Sequence, residues 1–347
     1  MWASAKPMNC SELLYEQVNQ VKAINPNKRV FVYRNSIKAL PWYTSVRLTL
    51  SDPAYSPWFL NFTAGNVHVP RCDTNYQPPL CSNYYHDQSQ TPEYPQGDGN
   101  CAAPGCDVGP IPVGEYLWDP RAANISVYNQ TLLDWLINSY IFDNTGGGSD
   151  LIDGFFFDDL WSVAGPSEFE AHAVEDMGLT KQDLIEITEA YYANMKIIEQ
   201  TVIDRGKFSW QMLYTDGATC PRPLVTNTTC SQALRSQCTP NSLAQTSAMM
   251  YAFSPGGCEC QTNNLYDLQQ DLANFLLIRG DYGWLGHGWC GCSIEYSNPP
   301  ELTYDYGTPL GLCNETQPNS GIFVRQYTKA TVQMDCNTWT GTINMKE

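Results

Sequence analysis

Two hydrophobic periods alternate along the chain. In "CSELLYEQVNQVKAI" apolar positions return every three or four residues, putting Leu14, Val18 and Val21 on one face, with Ser11 as a cap and Pro26 as a stop. This predicts a helix. "KRVFVYRN", Lys28 to Asn35, is instead an unbroken apolar run of strand length. "GEYLWDPR", Gly114 to Arg121, predicts another strand, followed by a helix through Val127, Leu132, Trp135, Leu136 and Tyr140. "LIDGFFFDDLWS" supplies a strand from Leu151 to Phe157 that ends on two carboxylates. The clearest helix comes next, with Thr180 capping, Asp183 three residues on, a stripe of Leu184, Ile187, Tyr191, Met195, Ile198 and Val202, and Gly206 at its end. Further strands are predicted from Lys207 to Thr215, Ser247 to Ser254 and Tyr282 to Trp289, with a helix through Leu268, Leu272, Phe275 and Leu276 before the last. "GIFVRQYTKATVQMD" alternates like a strand ribbon.

Continuous apolar strands are covered on both faces, and strand, helix, strand at this spacing means parallel βαβ units. The fold expected is therefore α/β: a (β/α)8 TIM-type barrel forming one domain over residues 1–347. About seven strands are found where eight are needed, so the first strand is taken as lost from this form of the chain. Residues 50–112, rich in Pro, Asn, Cys, Tyr and Gly, read as a disulfide-pinned insertion, and 293–347 as a C-terminal strand ribbon.

Composition narrows the function. The net charge of −17 excludes the clustered Lys and Arg on which phosphate-backbone binding rests, so no nucleic-acid partner is expected. No run of about 18 apolar residues occurs, so no membrane span is expected, and "MWASAKPMN" lacks the apolar core of a signal peptide, which points to a processed form. Fourteen cysteines, an even set, suggest a disulfide framework. A zinc site at "CEC" and "CGC" is disfavoured, because paired thiolate ligands want two or more residues between them. Six N-x-[ST] sequons, at Asn9, Asn61, Asn124, Asn129, Asn227 and Asn314, agree with a secreted, extracellular glycoprotein of the eukaryotic secretory pathway.

In a parallel barrel, chemistry gathers where strands end. Those ends carry Arg34 and Asn35, Trp118 and Asp119, Asp158 and Asp159 with Trp161, Tyr214 and Asp216, Tyr251, and His287 with Trp289. Carboxylates beside flat rings suit a carbohydrate: acids move protons at the glycosidic oxygen, and rings carry sugar faces. Asp158 is the leading candidate for nucleophile or general base, because an unpaired charge after three apolar residues is costly to bury. Asp216 is the favoured general acid, with Asp159 or Asp119 less so and Glu168 and Glu170 in reserve. Trp42, Trp118, Trp161 and Trp289 are candidate stacking surfaces, and Arg34, Asn35, Tyr214, Tyr251 and His287 line the expected pocket. Plainer readings stand beside these. Asp153 satisfies a loop, Asp119 or Asp216 only turns the chain, and Arg34 forms a salt bridge. No G-x-S-x-G, H-E-x-x-H or G-x-G-x-x-G motif is present, and "TGGGSD" lacks a phosphate-loop lysine, so neither cofactor nor metal is expected.

With "YLWDPR" leading through a helix to "LIDGFFFDDLW", and with "GIFVRQYTKATVQMD" at its end, the chain resembles the glycoside-hydrolase-like barrel proteins over about residues 30–334. That resemblance implies a carboxylate at Asp158 as nucleophile or stabiliser. Barrel-type chitinases are more distantly similar through DGxDxDxE, of which Asp153, Gly154 and Asp158 match. Phe156 and Leu160 replace the middle Asp and the catalytic Glu, which removes that family's proton donor. The expectation is a secreted hydrolase of O-glycosyl bonds in a poly- or oligosaccharide, retaining if the working carboxyls lie roughly 5–5.5 Å apart and inverting at roughly 6.5–9.5 Å. The alternative is a barrel without catalysis, serving as a glycan-binding or structural glycoprotein that self-assembles into a larger body.

Overall fold

The computed structural model describes residues 9–65, 67–73, 78–87, 111–112, 114–143, 148–166, 172–214, 227–240, 242, 245, 249–252, 268–281, 283–286 and 299–346. The chain divides into two units, Met1–Lys207 and Phe208–Glu347.

In the first unit the helix Cys10–Ile24 precedes the strand Phe31–Asn35, which pairs in parallel with Gly154–Asp158. The register runs from Phe31 opposite Gly154 to Asn35 opposite Asp158, so both strands deliver polar residues to the same end. Val32, Phe155 and Phe157 are buried, whereas Phe156 stays partly exposed beside the Tyr33 ring. Asp153 does the plain work expected of it, accepting from Lys22 Nζ at 2.7 Å and from the Val30 amide at 2.8 Å where the two strands begin. The helix Lys181–Asp204 opens on a capping box of Thr180 and Asp183 and buries Leu184, Ile187, Tyr191, Met195, Ile198 and Val202 in the same core as the strands. The described residues of the 50–112 region include the short helix Pro53–Trp58 and small ribbons, one of them closed by the Cys72–Cys81 disulfide.

In the second unit Phe208–Tyr214, Met249–Ala252 and Gly283–Gly286 pair in parallel. The C-terminal region forms a four-stranded antiparallel sheet of Asn314–Glu315, Ile322–Gln326, Ala330–Asp335 and Thr340–Met345. The helix Leu268–Ile278 is buried almost all round, as its apolar sequence requires, and lies on that sheet. Contact is close enough that a Cβ at Gly341 would sit 2.8 Å from the Ala273 Cβ, so only glycine fits there. Arg325 is buried and donates to the carbonyls of Leu276, Leu277 and Arg279, acceptors that the helix end leaves open, and to that of Gly311. The disulfides Cys230–Cys336 and Cys238–Cys313 pin the helix Asn227–Gln237 to the same sheet region.

The expected (β/α)8 barrel is not formed. Two of its candidate strands pair the wrong way: Glu115–Leu117 lies antiparallel to Lys38–Ala39 and to His86–Asp87, and Ile322–Gln326 is antiparallel to both neighbours. The parallel strands make open sets within each unit, and no closed barrel exists among the described residues. Short buried runs such as "EYL" look alike whether parallel or antiparallel, because burial fixes side-chain type and leaves strand direction to the partner.

Candidate functional site

The Asp158 end of the first unit gathers charge. Asp158 closes its strand opposite Asn35, and its carbonyl accepts from the Ser36 amide at 2.9 Å and the Ser36 hydroxyl at 2.8 Å. Asp159 then turns the backbone into the left-handed region, with φ +62°, where few residues other than Gly, Asn and Asp are tolerated. That turn sends the two carboxylates different ways.

The Asp159 carboxylate goes inward. It sits 3.0 Å from Lys38 Nζ, accepts from Asn35 Nδ2 at 2.6 Å, and its side chain is 3% exposed. Lys38 Nζ also lies 3.0 Å from Glu115 Oε2, so one buried ammonium holds two buried carboxylates. Burial alone would lower the Lys38 pKa, but Asp159 and Glu115 outweigh it and raise the value above normal. Asn35 is fixed in turn, its Oδ1 accepting from the amides of Ile37 and Lys38 at 3.0 and 2.6 Å. Its Nδ2 also donates to the Tyr33 hydroxyl at 3.0 Å.

Asp158 stays partly exposed. Its Oδ1 accepts from the Asp159 amide at 3.0 Å, and the Tyr33 hydroxyl hydrogen-bonds to it. Burial, then the negative charge of Asp159, pushes its pKa up, opposed by the Asp159 amide, Lys38 and Tyr33. A continuous polar chain thus runs from buried Glu115 through Lys38, Asp159, Asn35 and Tyr33 to Asp158 at the surface.

The other expected site residues separate from this group. Asp119 caps the short helix Pro120–Asn124, accepting from the Arg121 amide at 3.0 Å, and pairs with the Arg121 guanidinium at 2.9 Å. Arg34 is 1% exposed and donates to the carbonyls of Tyr140 and Tyr33, both at 2.9 Å, with Asp143 3.8 Å away, so it braces the core. Trp42, Trp118 and Trp161 are core residues with no open face for a sugar. Tyr214 and Tyr251 lie on strands of the second unit, placed by backbone alone. Asp216, His287, Trp289, Glu168 and Glu170 lie outside the described residues.

Sequence reasoning did not single out Lys38, Glu115 or Tyr33. The available signal was a lone charge inside each apolar run, Lys38 in "SIKAL" and Glu115 in "VGEYLW", because such a charge must be paired when buried. An open cleft of about 550 Å³ lies elsewhere in the unit, lined by Pro53, Pro57, Asn61, His68, Ser82 and Tyr84. Asp158 is not among its walls, so the carboxylate pair and this concavity are separate. Among the described residues no group of three or more His, Cys, Asp and Glu is placed to hold a metal ion, and no helix is long and apolar enough to cross a membrane. Three described disulfides are compatible with an oxidising, extracellular setting. The chain matches no protein-family model and no curated protein.

Proposed function

We propose that the first unit carries an acid–base centre for hydrolysing O-glycosyl bonds, with Asp158 as its proton-bearing carboxyl. The observation that carries this reading is the division between two adjacent carboxylates: Asp159 is locked to Lys38 and Asn35, while Asp158 is partly exposed with its pKa raised by burial and by the Asp159 charge. Glycoside hydrolysis needs an acid that holds its proton near neutral pH and gives it to the leaving oxygen, and a raised carboxyl pKa is how enzymes arrange this. Asp158 therefore suits the donor role better than that of nucleophile. Asp159 supports it by holding a fixed negative charge close by, and Tyr33 and the Asp159 amide orient the carboxyl.

One observation favours a second reading, a glycan-binding or structural glycoprotein without catalysis, able to assemble with itself. Asp119 and Asp159 are both engaged in ion pairs, so neither is an unoccupied second carboxyl. A glycan-library hydrolysis screen with the native chain and Asp158→Asn separates the readings. Product from the native chain that disappears in a folded Asp158→Asn supports the enzyme; equal product from both overturns the assignment. Binding to a glycan array without hydrolysis by either selects the second reading.

A further inference from the structure

The hairpin of Ser126–Val127 and Gln130–Thr131 turns through only two residues, Tyr128 and Asn129. Both have left-handed backbones, with φ +49° and +63°, as a two-residue turn of the I′ kind demands. Asn suits such a turn. Tyr does not, because a bulky side chain there is strained, and Gly or Asn ordinarily takes its place. The strain is held by contacts outside the hairpin: the Tyr128 hydroxyl donates to Asp52 Oδ2 at 3.1 Å, and its ring meets that of Tyr55 edge-on with centroids 5.6 Å apart. Tyr55 leans in turn on Trp58, 4.7 Å away. Even so Tyr128 is 69% exposed, and Ile125 nearby is 43% exposed. A strained aromatic is thus displayed to solvent, at the position immediately before an exposed sequon asparagine.

Asn129 begins "NQT", and no other sequon of the chain follows an aromatic residue; Met8, Leu60, Ala123, Thr226 and Cys313 precede the rest. We propose that Asn129 carries an N-linked glycan whose first N-acetylhexosamine lies against the Tyr128 ring. The proposal rests on the secretory-pathway reading of the chain. In the coupling step Asn129 Nδ2 forms a bond to C1 of the sugar as the C1–O bond to a polyprenyl diphosphate donor breaks. The amide gives up one proton and the lipid diphosphate leaves. The ring supplies what the sugar lacks in water, a flat apolar partner for its C–H face, and the sugar covers apolar surface that the hairpin leaves bare. Tyr55 and Asp52 keep the ring from rotating away, so the surface is fixed in the folded chain.

The test is carried out on the full chain secreted from a eukaryotic host. Peptide mass spectrometry after enzymatic release in heavy-oxygen water reads occupancy at each sequon. Occupancy of Asn129 is expected; a bare Asn129 with other sequons modified overturns the proposal while leaving the compartment reading intact. No modification at any sequon overturns both. Melting temperatures of the native chain, Asn129→Asp, Tyr128→Ala and the double variant then test the contact, since Asp tolerates the turn conformation. Loss of the glycan should lower the melting temperature by about 2 °C with Tyr128 present and by less than half of that in the Tyr128→Ala background. Equal shifts in both backgrounds would show a glycan that does not lie on the ring.

Discussion

Glu199 lies on the buried face of the Lys181–Asp204 helix among Met195, Ile198 and Val202, and its residue is 3% exposed. Among the described residues no hydrogen bond or ion pair reaches its carboxylate, and burial alone pushes its pKa from 4.5 up to about 8. The native state therefore holds a proton that the unfolded chain releases. With the folded value above the unfolded one, the stabilisation is complete below pH 4.5 and is lost as pH rises toward 8. Each pKa unit is worth about 1.4 kcal/mol, so linkage gives a loss of about 2.5 kcal/mol between pH 5 and pH 7 from this residue. Glu199→Gln keeps the shape and removes the titration. Urea unfolding of both proteins at pH 5, 6 and 7 measures the effect. The variant is expected to gain on the native chain by about 2.5 kcal/mol across that interval, whatever its stability at pH 5. Parallel stability curves for the two proteins would refute the reasoning, because every other titrating group is common to both.

Lys38→Met leaves Asp159 and Glu115 facing each other without their cation and should cost about 3–5 kcal/mol at pH 7 by urea midpoint. In the native chain the raised Lys38 pKa means that its stabilisation is present below about 10.5 and is lost as pH climbs through the higher folded value, which alkaline melting curves will show. Asp158→Asn should abolish hydrolysis of any substrate found, yet melt no lower than the native chain at pH 7 by circular dichroism. Its raised pKa means that the stabilisation by the carboxyl is present below about 3.8 and is lost as pH rises. Arg325→Met removes the guanidinium donor from four carbonyls, of which only Leu276 keeps another side-chain donor among the described residues, the Tyr327 hydroxyl, and should lower stability by about 3 kcal/mol in the same urea assay.

Local signals in the sequence were readable where local physics decides. The helix Lys181–Asp204 follows from its own capping box and stripe, and every stripe residue is buried. The strand ending at Asp158 follows from three phenylalanines running into a charge, and the next residue, Asp159, is tied to Lys38. Pairing direction was not readable. Glu115–Leu117 is a strand as expected, but its partners are Lys38–Ala39 and His86–Asp87, and nothing within "EYL" tells antiparallel from parallel. The ion group escaped for a similar reason: Lys38 and Glu115 stand far apart in the chain and meet only through that pairing. Aromatic content misled, since Trp118 and Trp161 at expected strand ends, and Trp42 as a further stacking candidate, fill the core instead. A tryptophan near a strand end satisfies a sugar site and a hydrophobic core equally well until its neighbours are known.

The disulfides Cys230–Cys336 and Cys238–Cys313 also determine how the chain responds to cutting. Both cross the stretch from Thr239 to Leu312, spanning separations of 106 and 75 residues. A protease nick anywhere in that stretch leaves two pieces still joined by these two disulfides. The nicked protein keeps its mass under non-reducing conditions and separates only after reduction, so cleavage there can pass unnoticed while the molecule remains one particle.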